Sequence, residues 1–452
     1  MIDSILYWNQ VSLDAAKTDF SFPDVPNLTD DQRPQQPGPT YLARALAVVH
    51  LAMHDAYMGI KGTSSPKTYL TYPSTPGTTD LQAAQAAVAA AACVTLIAMF
   101  SRQKNTFLAK HSEFMVMLAL ADGDPKISKG LAWGHLVAEK MLADRKNDGA
   151  DASNDFYAPS SEPYRHRPDP LTPKQGFLGP LWGNVKPFGF VNIRTSIAPL
   201  PDPVPLPEYT ADFNEVYNKG VDQGSTRTLD ETRIGLFWAY DGARNIGVPP
   251  RLYNQVVRAI VAEKGGVSEK ENARLFAMVN VAMADAGIQA WHEKYTHNLW
   301  RPVVGIREAD AGWGPTGKGD NQAGTHGDPY WQALGAPRTN SSGAPSFTPN
   351  FPAYPSGHAT FGTAALRITQ AVLNLQGSFA FKFVSDELNG ENIGATGVRP
   401  KYIADLTIDS AVEENILSRV YLGVHWQFDG RKGEDIGNVI ASNIAGVFPA
   451  KA

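Results

Sequence analysis

The sequence predicts an all-α protein made of two helical bundles joined by long irregular connections. Apolar residues recur at helical spacing in ten segments. Alternating Val and Ile runs are scarce and hairpin signals are few, which leaves little room for a sheet. At 452 residues the chain can bury several cores. We assign residues 1–225 to an N-terminal bundle with its connector, and residues 226–452 to a C-terminal bundle that carries the candidate site.

The first half starts with a short apolar stretch, and residues up to 40 then become polar and Pro-rich. Helical periodicity predicts the next elements over residues 41–60, 80–100, 106–121 and 128–147. A Pro-, Gly- and Asp-rich stretch over about 150–225 is predicted to be a long ordered connection.

In the second half, a further irregular stretch over about 308–355 interrupts the helices. The helices themselves are predicted over residues 228–242, 250–263, 268–300, 358–376, 408–422 and 430–448.

One segment has the length and polarity of a membrane span. Residues 83–100 are uncharged, but nine are Ala, and Gln85 and Thr95 lie inside the segment. Ala adds little to membrane insertion, so we expect a buried helix and no membrane span. The start of the chain lacks the basic region and long apolar core of a signal peptide. We therefore expect a cytoplasmic protein by default, with export left open.

Composition excludes several classes of function. Lys and Arg number 40 and Asp and Glu 45, a net charge of −5, which argues against nucleic-acid binding by bulk positive charge. Cys93 is the only cysteine, which excludes an intrachain disulfide and cysteine-built metal sites. There is no GxxxxGK[ST] phosphate loop and no GxGxxG motif that follows a predicted strand. His292 and His297 are five residues apart, whereas the zinc-protease helix needs four, and Ser356 is not in a GxSxG elbow.

The first cationic cluster pairs Lys294 with Arg301, which is followed by Pro302. Seven residues are two helical turns, so both side chains point the same way. Pro302 disfavours helix at the residue before it and places Arg301 at the helix exit. A solvated charged face is the alternative, but the preceding residues are largely apolar, which favours a buried position for Lys294.

The second cluster is the turn Pro355-Ser356-Gly357-His358, which opens a long predicted helix. The free N–H groups and positive dipole at a helix start attract anions. Ser356 can donate through its hydroxyl, and Gly357 allows close approach of the backbone. His358 then lies beside the anion, where it can exchange protons. The alternative is an ordinary Ser N-cap with a chance histidine.

The third cluster runs from Arg419 through Gly423 and His425 to Asp429. The guanidinium of Arg419 suits an oxyanion. Gly423 can end the helix and turn His425 back toward the site. Asp429 can hold one ring nitrogen of His425 and leave the other as nucleophile or ligand. A buried structural histidine is the alternative.

Together, the clusters supply the groups that an in-line displacement at a tetrahedral oxyanion needs. Cations neutralise the oxyanion, one histidine bonds its central atom, and the other moves protons. A non-enzymatic anion-binding or scaffold protein is also conceivable, but it would not need His358 and His425 both placed at the oxyanion.

These motifs, in this order, resemble those of the vanadium-dependent haloperoxidases. Type-2 phosphatidic acid phosphatases and bacterial class A acid phosphatases share the same signature. The resemblance to the fungal chloroperoxidase-like branch also covers ILYWNQV near the start, LARALAVVHLAMHDAY at 42–57, FWAYDGARNIGVPP at 237–250 and FPAYPSGHATFG at 351–362. It therefore extends over most of the chain.

The resemblance implies a role for each position. His425 would bind vanadium, His358 would be the acid–base residue, Asp429 would orient His425, and Asp241 would pair with Arg301. Trp291 and Phe351 match aromatic positions on the halide side of the pocket, although plain packing would also explain them. Five residues would hold the vanadate oxygens: Lys294, Arg301, Ser356, Gly357 and Arg419.

The implied activity is oxidation of a halide by hydrogen peroxide to hypohalous acid, with vanadate as cofactor and phosphate able to take its place. Lys294, His358 and His425 would be the catalytic residues. The alternative is a phosphatase in which His425 attacks phosphorus and His358 protonates the leaving alcohol. The aromatic pair, the peripheral similarity and the chain length favour the peroxidase. Halide preference, a small organic acceptor and a homo-oligomer stay open.

Overall fold

The computed structural model describes residues 2–25, 28–63, 67–118, 124–151, 157–190, 192–197, 207–342 and 346–449. Helices dominate these residues, so the all-α prediction is confirmed. The first half contains α1 (Ser4–Asp19), α2 (Pro39–Lys61), α3 (Leu81–Met99), α4 (Lys104–Met117), α5 (Pro125–Arg145), α6 (Ile193–Ser196) and α7 (Tyr209–Lys219).

The helices α2 to α5 match the predictions for the first half, while residues 119–121 of the third prediction lie outside the described residues. The second half contains α8 (Leu229–Phe237), α9 (Pro249–Lys264), α10 (Glu269–His297), α11 (Pro302–Arg307), α12 (Gly357–Val372), α13 (Ile408–Tyr421) and α14 (Gln427–Val447). All six helices predicted there are present, and α11 is an addition.

The apolar helix α3 is long and apolar enough to cross a membrane by length and composition alone, but 72% of that span is buried inside the protein. It packs against α2 and α5. A Cβ on Gly130 or Gly134 of α5 would lie 2.2 Å from the carbonyl oxygen of Ala83 or Ala87. Small residues therefore let two helices approach closely, as the Ala-rich sequence led us to expect.

A hydrophobic core runs through both halves of the chain. It includes Leu46 of α2, Val88 of α3, Val279 of α10, Phe361 of α12 and Ile440 of α14. Helix α10 packs against α2 on one side and against α12 and α14 on the other. Near the last turn of α10, Lys294 donates to the Pro355 carbonyl just before α12. The N–H of Ser356 at the start of α12 donates to the Asp429 carbonyl of α14, so the predicted motifs meet at this junction.

The strands are short. β1 (Ala380–Phe383) pairs antiparallel with β4 (Ala404–Thr407), and β2 (Ile393–Gly394) pairs with β3 (Gly397–Val398). These two-stranded ladders lie between α12 and α13. They fit the expectation that little of the chain forms a sheet.

The predicted connection over 150–225 includes α6 and α7, and residues 152–156, 191 and 198–206 of it lie outside the described residues. Part of the connection is fixed to the core. The buried carboxylate of Asp285 on α10 accepts hydrogen bonds from the backbone N–H groups of Phe188, Gly189 and Phe190 at 2.6–2.9 Å.

Candidate active site

Helix α10 carries Lys294, and the turn between α10 and α11 carries Arg301. Helix α10 starts with a capping box of Ser268 and Glu271 and ends at His297, after which Asn298 adopts a left-handed conformation with φ 55°. Arg301 is extended and precedes Pro302, the first residue of α11. The prediction that Pro302 places Arg301 outside the helix is confirmed.

The ammonium group of Lys294 is fully buried. It donates to the carbonyl oxygens of Pro352, Ala353 and Pro355 at 2.8, 2.9 and 2.5 Å. Burial, with Arg301 nearby, holds the pKa of Lys294 well below its usual range. The three carbonyl acceptors nevertheless need the three N–H groups of the charged ammonium form, so Lys294 fixes the segment that leads into Ser356 and adds positive charge there.

The guanidinium of Arg301 is 1% exposed. Nε donates to the Phe351 carbonyl and Nη1 to the Val424 carbonyl, each at 2.8 Å. Nη1 also lies 2.8 Å from Nε2 of His425. The remaining nitrogen, Nη2, is buried and has no hydrogen-bond partner among the described residues.

The N-terminus of α12 is formed as predicted. Ser356 is the N-cap, and its hydroxyl accepts a long hydrogen bond, 3.5 Å, from the Ala359 N–H. Its own N–H donates to the Asp429 carbonyl at 2.8 Å, which joins α12 to α14. A Cβ on Gly357 would lie 3.1 Å from the Trp291 ring, so a glycine keeps this wall of the site open.

His358 follows on the first turn of α12, and its Nε2 lies 2.6 Å from the Ala239 carbonyl oxygen. A carbonyl only accepts, so Nε2 carries the proton and Nδ1 is the basic nitrogen. Burial, with Arg419 nearby, holds the pKa of His358 well below its usual range. The imidazole is therefore neutral in the cationic surroundings of the site.

Asp241 pairs with Arg419, so the prediction that it pairs with Arg301 is wrong. Nη1 and Nη2 of Arg419 donate to the two carboxylate oxygens at 3.0 and 2.8 Å, a bidentate ion pair. Arg301 is instead held by carbonyls and by His425, and it acts on Asp241 only through charge. The Nε of Arg419 is buried and has no hydrogen-bond partner among the described residues.

His425 lies in the turn between α13 and α14. Gly423, with φ +70°, turns the chain there as predicted. Nδ1 of His425 lies 2.9 Å from Oδ2 of Asp429, which also accepts the Trp426 N–H at 3.1 Å. The proton is therefore on Nδ1, and Nε2 carries a lone pair. Burial, with Arg301 nearby, holds the pKa of His425 well below its usual range.

A cavity of about 220 Å³ is lined by Gly357, His358, Arg419 and His425, whereas Lys294, Arg301 and Ser356 are not among its lining residues. Trp291 and Phe351 line it as well, with their ring centroids 4.7 Å apart, so both predicted aromatic residues lie at the cavity. Trp291 is held in place because its Nε1 donates to the Leu178 carbonyl at 3.1 Å.

Comparison with known proteins identifies the family. A model of the vanadium chloroperoxidase N-terminal domain matches residues 2–184, and a model of the second helical-bundle domain matches residues 274–449. The vanadium chloroperoxidase of Curvularia inaequalis is 31% identical, over 96% of this chain and 80% of that protein. The chain belongs to the vanadium chloroperoxidase family.

Solved structures agree with this family on the fold. A bacterial vanadium-dependent iodoperoxidase superposes with a TM-score of 0.69 at 19% identity, covering 97% of this chain and 95% of the other. The holo-type bacterial vanadium-dependent chloroperoxidase superposes with a TM-score of 0.65 at 17% identity, covering 95% and 96%. At these identities the likeness establishes the fold alone.

Sequence reasoning missed two parts of this chloroperoxidase-family site. The carbonyl of Ala239, which fixes the tautomer of His358, is a backbone group that any residue supplies. Side chains of the cavity wall, such as Phe20, Leu178 and Val248, are ordinary apolar residues far from the motifs in sequence. Only the three-dimensional fold brings them to the cavity.

Proposed function

We propose that this protein is a vanadate-dependent haloperoxidase that oxidises a halide with hydrogen peroxide to hypohalous acid. The observation that carries the proposal is a pair of buried donors, Nη2 of Arg301 and Nε of Arg419, that have no partner among the described residues. Buried polar groups are nearly always hydrogen-bonded, and a buried charge needs compensation. An oxyanion beside His425 supplies both the acceptor atoms and the charge.

The residues fit vanadate. His425 is neutral, with its proton on Nδ1 toward Asp429. The lone pair of Nε2, which accepts from Nη1 of Arg301 in this structure, would be the ligand atom once that hydrogen bond is given up. Arg301 and Arg419 would hold the oxygens through their free N–H groups, together with the N-terminus of α12 at Ser356 and Gly357. Lys294 would add charge and hold the segment before Ser356. Vanadate held there would supply a Lewis-acidic centre that activates peroxide toward the halide.

We assign the acceptance and donation of protons in this reaction to His358. Hydrogen peroxide, a halide ion and one proton give hypohalous acid and water, so a proton must be moved and one must be supplied. Nε2 of His358 is committed to the Ala239 carbonyl, so Nδ1 takes a proton from peroxide and returns it to the leaving oxygen. The low pKa of His358 keeps this nitrogen free to act as a base.

Trp291 and Phe351 form the wall on which we place the halide. Nζ of Lys294 lies 5.5 and 5.2 Å from the centroids of these two rings, and the Arg301 guanidinium carbon lies 4.9 Å from that of Phe351. The cations behind the apolar wall attract an anion. The wall itself offers few groups that could hydrate this anion, so the site suits a weakly hydrated one. We propose that chloride or bromide is among the halides oxidised.

A phosphatase working through a phosphohistidine would use the same histidines and cations. The similarity to a vanadium chloroperoxidase over 96% of the chain favours the peroxidase, because it includes the first half, where the three motifs do not lie.

The test is reconstitution of metal-free protein with orthovanadate. Turnover of hydrogen peroxide is measured with chloride, bromide and iodide in parallel, and hydrolysis of 4-nitrophenyl phosphate is measured on the same sample. We expect halide-dependent turnover that needs vanadate and that phosphate suppresses. Phosphate-ester turnover with no halide oxidation after vanadate loading would overturn the proposal.

A further inference from the structure

A second set of buried polar atoms lies outside the cavity. The hydroxyl of Tyr209, Nε1 of Trp300 and Oδ2 of Asp320 are buried and make no hydrogen bond of standard geometry within the described part of the chain. None of the three residues lines the cavity. They come from three segments: α7, the turn before α11 and the irregular stretch after α11. The function proposed above does not use them.

The rings around these atoms are closely packed. The ring centroid of Tyr164 lies 5.6 Å from that of Tyr209 and 4.9 Å from that of Trp300. The ring centroid of Tyr209 lies 5.4 Å from that of Trp426. We call these four residues the aromatic box. A Cβ on Gly305 would lie 2.8 Å from Nε1 of Trp300, so α11 keeps the indole from turning toward another acceptor.

Asp320 is joined to the box through Tyr164, whose hydroxyl donates to the Asp320 carbonyl. Asp320 is 2% exposed, and its Oδ1 accepts from the Gln322 N–H and the Thr325 hydroxyl at 2.9 and 3.0 Å. Oδ2 accepts no such bond from the described residues. A buried carboxylate oxygen without a donor is costly, so Oδ2 needs a partner.

The hydroxyl of Tyr209 is close to both other groups. Burial and the carboxylate of Asp320 raise the pKa of Tyr209 well above its usual range, and the indole N–H of Trp300 partly offsets this rise. The hydroxyl therefore keeps its proton. An indole N–H only donates, and a carboxylate only accepts. One water that accepts from Trp300 and Tyr209 and donates to Asp320 satisfies all three groups, and a buried water typically makes about three such bonds.

The box is connected to two residues of the active site. Trp300 directly precedes Arg301, and Trp426 directly follows His425. Nε1 of Trp426 donates to the Trp300 carbonyl at 3.2 Å, which joins the two segments. A shift of the Trp300 indole therefore moves the backbone that carries Arg301 and, through Trp426, the backbone that carries His425.

We propose that the aromatic box holds one structural water, bound by Tyr209, Trp300 and Asp320, and that Tyr209 and Asp320 thereby position Arg301 and His425 for the oxyanion. The proposal rests on the oxyanion site of the function proposed above, but not on halide oxidation. Tyr209 and Asp320 are positioning residues, since neither lines the cavity. They act on the affinity for the oxyanion through the backbone around Trp300.

A high-resolution crystal structure of the vanadium-free protein tests the water directly. We expect one ordered water within hydrogen-bond distance of Oη of Tyr209, Nε1 of Trp300 and Oδ2 of Asp320. In crystals of Tyr209→Phe the ring should stay in place, while the water should become disordered or leave. A box without a water, or a direct hydrogen bond from Tyr209 to Asp320, overturns this part of the proposal.

Phosphate affinity tests the positioning role. Titration calorimetry measures the binding of inorganic phosphate to the vanadium-free full chain, well below its melting temperature. We expect Tyr209→Phe and Asp320→Asn each to weaken phosphate binding about tenfold. The first removes the hydroxyl, and the second places an NH₂ group where an acceptor is needed. The double variant should lose no more affinity than the weaker-binding single variant, because both residues act through one water.

The matched control is Tyr217→Phe, since Tyr217 lies about two turns further along α7, is partly buried and is not in the box. It should bind phosphate as the wild-type protein does. Unchanged phosphate affinity in both Tyr209→Phe and Asp320→Asn overturns the positioning role alone. A wild-type protein that does not bind phosphate overturns the oxyanion site and the positioning role together, whereas the crystal structure still decides on the water.

Discussion

Two histidines on the same cavity are held in opposite tautomers by the acceptors next to them. The carboxylate of Asp429 accepts a hydrogen bond from Nδ1–H of His425, and the carbonyl of Ala239 accepts one from Nε2–H of His358. His425 therefore presents Nε2 to the site and His358 presents Nδ1. Two residues of one type thus receive different tasks, one as ligand and one as base.

Replacing each histidine should separate these tasks. We expect His425→Ala to lose vanadate retention, because the ligand atom is gone. We expect His358→Ala to retain vanadate and to lose turnover by roughly 10²–10⁴-fold, the usual contribution of general acid–base catalysis. Equilibrium dialysis with vanadium analysis measures the first quantity, and peroxide-dependent bromide oxidation measures the second.

The control for this pair is His326→Ala, since His326 is exposed and does not line the cavity. It should leave both quantities unchanged. An equal loss of vanadate from His358→Ala and His425→Ala would contradict the separation of roles.

The partner of Asp241 can be tested by double-mutant cycles. We expect Asp241→Asn and Arg419→Gln to couple by roughly 1–3 kcal/mol in the free energy of unfolding, because they share a buried bidentate ion pair. The cycle of Asp241→Asn with Arg301→Gln should give a clearly smaller coupling. Urea unfolding measures both coupling energies. A larger coupling of Asp241 with Arg301 than with Arg419 would mean that Asp241 pairs with Arg301.

The members of the site could be predicted from the sequence, but their pairing could not. Lys294, His358 and His425 stand in motifs whose spacing and flanking Pro or Gly residues fix their local backbone. Arg301 and Arg419 carry the same charge, and nothing in their spacing tells which of them faces Asp241. That choice depends on how α8, α10 and α13 pack, which is a property of the fold.

At the scale of elements, close packing between α12 and α14 depends on glycines. A Cβ on Gly433 would lie 2.7 Å from the Ser356 carbonyl oxygen and 2.9 Å from Cβ of Ala359. We expect Gly433→Ala to destabilise the protein by about 1–3 kcal/mol, because the added methyl forces the helices apart. The shift moves the N-terminus of α12, so vanadate affinity should fall as well.

The matched control lies on the same helix. Nothing lies within 4 Å of a Cβ built on Gly446, so Gly446→Ala should be neutral or should stabilise by up to about 1 kcal/mol through helix propensity. Chemical unfolding of both variants is the measurement. Equal destabilisation by the two substitutions would rule out the close approach as the cause.

Helices α1, α2 and α9 share a buried polar network that makes stability depend on pH. Nδ1 of His50 lies 2.7 Å from the Leu46 carbonyl oxygen, and Nε2 lies 2.9 Å from the amide nitrogen of Asn9. Burial lowers the pKa of His50 to about 4. The unfolded chain takes up a proton below about pH 6.5 and the folded chain does not, so stability is complete above 6.5 and is lost as the pH falls toward 4.

We expect the His50→Gln variant to show a smaller fall in the free energy of unfolding as the pH is lowered. The wild-type protein should lose up to about 3 kcal/mol through this histidine between pH 6.5 and 4, and the variant should lose correspondingly less. Urea midpoints across this range measure the slope, with His326→Gln as the exposed control. Parallel curves for the wild-type protein and His50→Gln would exclude His50 as the source.

The same network explains why α1 was not predicted. Asn9 and Ser12 are completely buried, so polar residues occupy its inner face and interrupt the apolar periodicity. Their partners, His50 and the Trp8 carbonyl, satisfy them in the folded protein. Helices α2 and α10 also bury polar residues, such as His50 and Asn280, but their longer apolar runs let them be predicted to within a few residues. Helix α7 was hidden by the Pro-rich sequence around it.

At the scale of the whole molecule, the cavity belongs to both halves of the chain. The cations and histidines come from α10 to α14, while Phe20, residues 37–39 and Leu178 come from the first half. Packing of α2 against α10 holds these parts together. Binding of an anion at the cavity should therefore stabilise the entire fold and not only the C-terminal helices.

The net charge of −5 does not reveal this dependence on an anion. Among the described residues of the site, the cations Lys294, Arg301 and Arg419 face two carboxylates, those of Asp241 and Asp429. A ligand at about 100 times its dissociation constant stabilises the folded state by about 2.7 kcal/mol. For a chain of this size we expect vanadate to raise the melting temperature by a few degrees, and orthophosphate to do so at higher concentration.

Differential scanning fluorimetry at constant ionic strength is the measurement, with sodium sulfate as the general salt control. His425→Ala should lose the response to vanadate while retaining much of the response to phosphate, because the cations remain. A full vanadate response in His425→Ala would mean that the oxyanion binds without the histidine.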